Sequence, residues 1–174
     1  MKVIALIGFS GSGKTTLAEI LIAGLRARDY TVGSVKRIHA EGFALDTPGT
    51  NTARHARAGA APVTALGDFE TDILFDRPLT IDEVLAHYDQ DYVVLEGVRD
   101  PRIPAIVTAT HPGDIAAKDN GWVVAVAGRL AAGAAPGGAS IEAPGYQALP
   151  LIDGLERPEE FIDFACATAT SWQS

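Results

Sequence analysis

The chain has 174 residues, of which 22 are acidic and 14 basic, so its formal net charge is −8. Its 47% hydrophobic and 21% charged residues are typical of a globular protein, and the length predicts a single domain over residues 1–174. A single cysteine excludes an intramolecular disulfide, no apolar run is long enough to span a membrane, and the acidity argues against nucleic-acid binding. We therefore expect a cytoplasmic protein.

The charge is distributed unevenly along the chain. Residues 1–60 contain eight basic and four acidic residues, a balance of +4, whereas the remaining residues contain six basic and eighteen acidic ones, a balance of −12. A positive third within an acidic protein indicates a local binding site for an anion. The alternative is that these cations are ordinary solvated surface residues.

The first elements predicted along the chain are a strand, a helix and a second strand. An apolar strand over 2–7 leads into a glycine-rich turn over 8–13, and a helix with one apolar face follows over 15–28. The second strand is predicted over 31–36. Strand, helix and strand in this order form the unit of a parallel sheet.

The middle of the chain predicts two short helices, a hairpin and buried strands. Asn51 is expected to cap a helix over 52–58, and a capping box of Thr80 and Glu83 opens a helix that ends at Tyr88. The predicted strands lie at 62–66 and 71–75, which pair as a hairpin, and then at 92–95, 103–109 and 122–127.

The last part of the chain carries weaker signals. Residues 128–147 are rich in glycine, alanine and proline and lack periodicity, which predicts a flexible loop. A strand is predicted over 149–152. Pro158 at the first helical position, followed by two glutamates, predicts a terminal helix over 158–168.

The strongest motif is Gly-Phe-Ser-Gly-Ser-Gly-Lys-Thr at residues 8–15, which fits the phosphate-binding pattern G-x-x-x-x-G-K-[ST] between a strand and a helix. Glycines let backbone N–H groups turn toward a phosphate, and the helix N-terminus adds positive potential. Lys14 is the candidate catalytic cation for the β- and γ-phosphates, and the Thr15 hydroxyl is a candidate Mg²⁺ ligand. The candidate nucleotide contacts here are Gly8, Ser10, Gly11, Ser12, Gly13, Lys14, Thr15 and Thr16.

A second candidate site is Glu96, which directly follows the apolar run at 92–95. An acidic residue at the C-terminal end of a buried strand matches the Walker B position of nucleotide-binding proteins. There Glu96 would hold Mg²⁺ directly or through water, or would orient a water molecule. The alternative is a carboxylate that serves a helix cap or a salt bridge.

A third region contributes cations. Lys36 and His39 follow the second strand, at the sheet edge where ligands of open α/β sheets bind. Arg54 and Arg57 are spaced i, i+3 on one helix face, as a phosphate clamp would require. The alternative is again a solvated helix with two ordinary arginines.

Five further segments accompany the phosphate loop, at residues 35–39, 45–49, 57–61, 94–99 and 149–153. Together with the loop, this ordered set resembles the molybdopterin-guanine dinucleotide biosynthesis adapter family. The sequence departs from that family at two places. Gly-Thr-Asn-Thr at 49–52 stands where the family usually has Gly-Lys-Asp-Ser, and Arg37 stands where it has histidine.

The resemblance implies a three-layer α/β P-loop fold with a mainly parallel sheet and some antiparallel hairpin. It also implies a homodimer that binds GTP with Mg²⁺ and hydrolyses it slowly, if at all. The implied partner is the guanylyltransferase that joins GMP to molybdopterin, and molybdopterin itself is a candidate ligand. On this interpretation Asp46 joins Thr15 and Glu96 as a candidate metal ligand, and Arg99 joins the cations for the second ligand or the partner.

Two other functions remain open at the level of the sequence. A small-molecule kinase using ATP would usually need several arginines on a mobile lid, whereas residues 128–147 contain only Arg129. A binding module with a relic loop would not need Lys14, Thr15 and Glu96. The guanine-reading Asn-Lys-x-Asp motif is absent, since Lys-Asp-Asn at 118–120 has a different order, so GTP over ATP rests on the resemblance.

Overall fold

A computed structural model describes residues 1–40, 42–44 and 46–173. Leu45, in the predicted segment 45–49, lies outside the described residues. The chain forms two compact units, one from Met1–Arg37 with Tyr88–Gln173 and the other from Ile38–His87. The helices and strands, in chain order, are β1 (Lys2–Gly8), α1 (Lys14–Ala27), β2 (Val32–Lys36), α2 (Asn51–Arg57), β3 (Val63–Leu66), β4 (Thr71–Leu74), α3 (Ile81–Leu85), β5 (Tyr92–Glu96), β6 (Ala105–Thr108), α4 (Gly113–Lys118), β7 (Val123–Ala127), β8 (Ser140–Ala143), β9 (Tyr146–Pro150), α5 (Pro158–Thr168) and β10 (Thr170–Ser171).

The first unit is built on a mainly parallel sheet with the strand order β2-β5-β1-β6-β7. Strands β1, β5 and β6 are buried on both faces, as expected of central parallel strands. The two-residue β10, which the sequence did not predict, pairs antiparallel with β1. The predicted α/β class with a mainly parallel sheet and antiparallel hairpins is therefore confirmed.

Helices α1 and α5 cover one face of this sheet. Leu17, Leu21 and Leu25 of α1 and Phe161 of α5 are all nearly inaccessible to solvent and form part of one apolar cluster. Gly24 permits the close approach of the two helices, because a Cβ there would collide with the side chain of Ile162. The predicted apolar face of the first helix is thus part of the apolar cluster that α1 shares with α5.

The segment predicted as a loop over 128–147 contains regular structure. A short 3-10 helix spans Arg129–Ala131, and β8 pairs with β9 as an antiparallel hairpin in which Ile141 lies opposite Leu149. The strand predicted over 149–152 therefore begins earlier, at Tyr146. Each strand has only four or five residues within a segment rich in glycine, alanine and proline, which is why periodicity did not reveal them. The flexibility of this segment stays a prediction.

The N-cap of one helix differs from the prediction, and one further helix was not predicted. Thr50, not Asn51, is the N-cap of α2, since the Thr50 hydroxyl oxygen accepts a hydrogen bond from the Ala53 N–H at 3.2 Å. Helix α4 was missed by the sequence analysis. Its start is stabilised by Asp114, whose carboxylate accepts hydrogen bonds from the Thr110 and His111 backbone N–H groups, at 2.8 and 3.0 Å.

The second unit contains α2, the antiparallel hairpin of β3 and β4, and α3. The hairpin and the capping box of Thr80 and Glu83 are confirmed. Helix α3 ends at Leu85, before the predicted end at Tyr88. Several large apolar side chains of the hairpin face solvent, with Leu66 84% exposed and Phe69 fully exposed.

Among the described residues, no helix combines the length and the apolar character that crossing a bilayer requires. The cytoplasmic location stays a prediction.

Candidate nucleotide-binding site

The predicted phosphate loop connects β1 to α1 in the first unit. Gly11 and Gly13 have φ angles of 75° and 99°, in the left-handed region that glycine adopts without strain. Gly13 is also the N-cap of the 14-residue α1, whose first turn contains no acidic side chain. The backbone N–H groups at this helix start are therefore available to an anion, with the helix dipole in its favour.

The base of the loop is fixed to β6 by two hydroxyl groups. The Ser12 Oγ lies 2.6 Å from the Thr108 Oγ1, and both side chains are buried. Ser12 Oγ also lies 2.8 Å from the Phe9 carbonyl oxygen, and Thr108 Oγ1 lies 3.2 Å from the Ile7 carbonyl oxygen. Each hydroxyl group has only one hydrogen to donate, so one of the two hydroxyls donates to the other. The hydroxyl that accepts this bond donates its own hydrogen to the carbonyl oxygen beside it, that of Phe9 for Ser12 or that of Ile7 for Thr108.

Thr108 was not identified from the sequence as a site residue. A hydroxyl side chain inside the apolar segment 103–109 was the one available signal, since a buried hydroxyl needs a hydrogen-bond partner. Gly8 belongs to the same contact, because a Cβ at Gly8 would collide with Thr108 and lie 2.8 Å from the Ser12 Oγ. Gly8 is therefore required by close packing beneath the loop.

Lys14 is turned into the loop. Its Nζ donates a hydrogen bond to the Phe9 carbonyl oxygen at 2.6 Å. Burial lowers the pKa of Lys14 below its usual 10.5; the Glu96 carboxylate opposes this shift, and the charges of Lys118 and Lys36 reinforce it. The lowered pKa of Lys14 therefore reflects mainly the partial burial of its ammonium group at the loop.

Two of the three predicted metal ligands, Thr15 and Glu96, are in direct contact. The Thr15 hydroxyl donates to Glu96 Oε1 at 2.8 Å. The Lys36 Nζ lies 3.2 Å from the same carboxylate oxygen and 3.2 Å from the Thr15 Oγ1. A hydroxyl and a carboxylate oxygen at this spacing are the hard donors that Mg²⁺ takes when phosphate oxygens complete its coordination, so these residues fit that ion.

Across residues 1–40, 42–44 and 46–173, no group of three His, Cys, Asp or Glu side chains is arranged to hold a metal ion.

Lys118 brings a third ammonium group to the loop. Its Nζ lies 3.9 Å from the centroid of the Phe9 ring, and its charge contributes to the lowered pKa of Lys14. With Lys14 and Lys36, three positive charges stand against the one negative charge of Glu96, which leaves a balance of +2. This position of Lys118 was not predicted, because α4 was not predicted and no local pattern connects Lys118 to the loop.

The two residues that follow Lys118 serve the protein's own structure. Asp119 Oδ1 accepts hydrogen bonds from the Gly121 N–H at 2.7 Å and from the Tyr146 hydroxyl at 2.8 Å. The Asn120 amide donates to the carbonyl oxygens of Asp100 and Ile103, both at 2.8 Å. These contacts agree with the interpretation that Lys-Asp-Asn at 118–120 is not a guanine-reading motif.

The remaining predicted site residues lie outside this cluster of contacts. Ser10, Gly11 and Thr16 are exposed in the loop and the first turn of α1, and Arg99 is exposed beyond the end of β5. Their roles as ligand contacts stay predictions.

Four predicted site residues belong to the second unit: His39, Asp46, Arg54 and Arg57. The Asp46 carboxylate accepts hydrogen bonds from the Thr47 N–H at 2.9 Å and the Thr50 hydroxyl at 2.6 Å. Hydrogen bonds from Thr50 and Thr52 lower the pKa of the Asp46 carboxyl group. His39 and the two arginines are exposed. Their contributions to ligand binding also stay predictions.

The sheet order, the glycine loop between β1 and α1, and the carboxylate at the end of the adjacent β5 define an α/β protein of the P-loop class. Residues 3–128 match the family model described as molybdopterin guanine dinucleotide synthesis protein B. The chain belongs to that family. The matched region contains every predicted site residue.

Two curated relatives carry adapter names. The chain is 33% identical over 112 residues to the molybdopterin-guanine dinucleotide biosynthesis adapter protein of Haemophilus influenzae, covering 62% of each chain. It is 35% identical over 113 residues to a putative adapter protein of Methanocaldococcus jannaschii, covering 62% of this chain and 47% of the relative. The match thus spans less than two thirds of either relative.

Solved structures extend the similarity beyond the family model. A MobB protein homologue from Bacillus stearothermophilus superposes with a TM-score of 0.65 at 25% identity, over 95% of this chain and 97% of that one. The MobB structure from Bacillus subtilis gives a TM-score of 0.69 over 99% of this chain and 100% of that one. At 19% identity, the second structure supports the fold alone.

Proposed function

We propose that this chain is a GTP- and Mg²⁺-binding adapter in the biosynthesis of molybdopterin guanine dinucleotide, where it assists the guanylyltransferase that joins GMP to molybdopterin. The observation that carries the proposal is the contact between Thr15 and Glu96 beside the glycine loop, with Lys14, Lys36 and Lys118 around it. Family membership and the adapter names of the relatives supply the pathway.

Each part of the loop has a distinct task in this proposal. The backbone N–H groups of residues 10–15 and the Lys14 ammonium bind the β- and γ-phosphates. Thr15 and Glu96 hold Mg²⁺, and a metal role for Asp46, in the second unit, stays a prediction from the family resemblance. When bound, Mg²⁺ neutralises negative charge on the phosphates. Lys118 adds positive charge at the Phe9 side of the loop.

Hydrolysis in this proposal is slow or absent. Lys14 and Glu96 are the groups available to stabilise the transferred phosphoryl charge and to orient a water molecule. Glu96 Oε1 is already engaged by the Thr15 hydroxyl and the Lys36 ammonium, and the Glu96 side chain is only 13% exposed. A carboxylate oxygen that already contacts a hydroxyl group and an ammonium group is poorly placed to accept a proton from an attacking water molecule.

The exposed cations outside the loop are proposed to serve the second ligand or the partner. Lys36, His39, Arg54, Arg57 and Arg99 carry side chains that suit a phosphate group such as that of molybdopterin, or an acidic surface of the guanylyltransferase.

A homodimer is part of the proposal. Its support within the second unit is the β3–β4 hairpin, where Leu66, Phe69 and Ile73 are 84%, 104% and 51% exposed. Exposed apolar groups of this size commonly mark a protein interface. Sedimentation velocity at several protein concentrations tests the oligomeric state. A monomer at all concentrations would contradict the homodimer.

Family membership favours the adapter over the small-molecule kinase. The test of the adapter function is reconstituted synthesis of the guanine dinucleotide from molybdopterin and limiting GTP by the guanylyltransferase. Adding this protein should raise the initial rate several-fold, and adding Lys14→Ala protein should not. An unchanged rate with the wild-type protein would contradict the adapter function.

A further inference from the structure

The strand register brings Lys36 and Glu96 together at one edge of the sheet. Strands β2 and β5 are parallel neighbours, and Lys36 is the register partner of Glu96. Glu96 is in turn the register partner of Leu6 in β1, the strand that leads into the phosphate loop. The backbone therefore fixes Lys36 beside the carboxylate, independently of any ligand.

Three side-chain atoms close a triangle at this point. Thr15 Oγ1 and Glu96 Oε1 are 2.8 Å apart, and the Lys36 Nζ lies 3.2 Å from each of them. A single ammonium group thus contacts both oxygen atoms that are proposed to ligate Mg²⁺. The Glu96 side chain is 13% exposed, whereas the Lys36 side chain is 55% exposed and free to swing into solvent.

We propose that Lys36 is an internal counter-ion that competes with Mg²⁺ for the Thr15–Glu96 oxygen pair. The inference rests on the proposed Mg²⁺-nucleotide site and adds a regulatory role for one of its neighbours. A divalent cation and an ammonium group in contact with the same two oxygen atoms repel each other at such short range. Metal binding therefore displaces Lys36, and the cost of that displacement weakens the coupling between metal and nucleotide.

The competition is measured by the coupling factor, defined as the nucleotide dissociation constant in EDTA divided by that in MgCl₂. Calorimetry with a non-hydrolysable GTP analogue, guanosine 5′-(β,γ-imido)triphosphate, gives both constants without turnover. Removing the ammonium group in Lys36→Met should raise the coupling factor at least threefold. Lys36→Arg, which keeps a cation at the strand end, should stay closer to the wild-type value.

Arg37→Met is the matched control, because it removes one positive charge at the next position of the chain. Arg37 bonds to Glu96 through its backbone N–H, which the substitution keeps. Its coupling factor should match that of the wild type. A coupling factor in Lys36→Met that is unchanged or lower overturns the competition. Failure of the wild-type protein to bind the analogue with MgCl₂ would instead contradict the proposed function, so the two failures are distinguishable. Thermal unfolding of each variant checks that the fold is intact.

Discussion

The hydroxyl oxygens of Ser12 and Thr108 lie 2.6 Å apart although 96 positions separate them in the sequence. Ser12 belongs to the phosphate loop, and Thr108 ends β6, which is the parallel neighbour of β1. The bond joins the loop to the sheet on the side opposite to Glu96, because β5 and β6 flank β1. The loop is therefore held between two contacts, Ser12 with Thr108 and Thr15 with Glu96.

Thr108→Val tests the first of these contacts. Valine keeps the volume and removes the buried hydroxyl, so the Ser12 hydroxyl and the Ile7 carbonyl oxygen lose a partner. We expect a loss of about 1–2 kcal/mol in the free energy of unfolding and weaker nucleotide binding, measured by urea denaturation and calorimetry. Thr168→Val, which removes a hydroxyl from α5, should leave nucleotide affinity unchanged. Equal affinity in both variants would contradict the role of Thr108 in positioning the loop.

Gly8→Ala should be among the most destabilising single substitutions in the first unit. The new Cβ would collide with backbone and side-chain atoms of Thr108, and the φ of 154° disfavours a side chain there. We expect a loss of more than about 3 kcal/mol, measured by thermal or urea unfolding. Gly145→Ala is the matched control, since φ is 84° but nothing lies within 4 Å of the added Cβ. It should cost about 1–2 kcal/mol. Similar losses in the two variants would refute the close-packing explanation.

Lys118→Met should weaken nucleotide binding about three- to tenfold, because it removes one of the three ammonium groups around the loop. The remaining affinity should also depend less on salt concentration, since fewer charges contribute. Lys2→Met is the matched control: the Lys2 Nζ also lies over an aromatic ring, 5.6 Å from the Tyr92 centroid, at the opposite end of β1. Nucleotide titrations at low and high salt should show weaker binding for Lys118→Met than for Lys2→Met. Equal affinities in the two variants would contradict a role for Lys118 at the site.

Asp153→Asn should destabilise the protein in a pH-dependent way. Burial raises the pKa of the Asp153 carboxyl, but N–H groups of Gly133, Glu156 and Leu155 outweigh it and leave the pKa below 3.8. Because the folded pKa is below the unfolded one, the carboxylate stabilises the fold above about pH 4, and this contribution disappears as the pH falls through the folded pKa. At pH 7 we expect the variant to lose about 1.5–3 kcal/mol.

The deficit of Asp153→Asn should shrink below about pH 4, where protonation removes the advantage of the wild-type carboxylate. Urea unfolding at pH 7 and at several values below pH 4 measures the difference. A deficit that stays constant over this range would show that the carboxylate charge does not contribute.

The parts of the site that the sequence predicted are those encoded by neighbouring residues. The loop at 8–15 and the strand ending at Glu96 each form a local pattern, and parallel strands bring their carboxyl ends to one edge, so the contact of Thr15 with Glu96 follows. Thr108 and Lys118 act through contacts with loop residues about 100 positions away, and no local pattern encodes such pairs. Only the folded chain reveals them.

The same distinction explains the differences in secondary structure. Helix α5 was predicted well because Pro158 and two glutamates mark its start in the sequence. The β8–β9 hairpin was missed because its strands are only four and five residues long and lie in a segment rich in glycine, alanine and proline. Its stability depends on distant contacts, including the Tyr146 hydroxyl, which accepts a hydrogen bond from the Val123 N–H at 3.0 Å.

The most direct test of the account is calorimetric titration of the purified protein with GTP and with ATP, each with Mg²⁺, in the presence and absence of the guanylyltransferase. We predict preferred binding of GTP, little turnover, an affinity that the partner changes, and at least a tenfold loss in Lys14→Ala, about 1.4 kcal/mol. ATP preference without any effect of the partner would contradict the adapter function. An affinity of Lys14→Ala within about threefold of the wild type, or about 0.6 kcal/mol, would contradict the phosphate site itself.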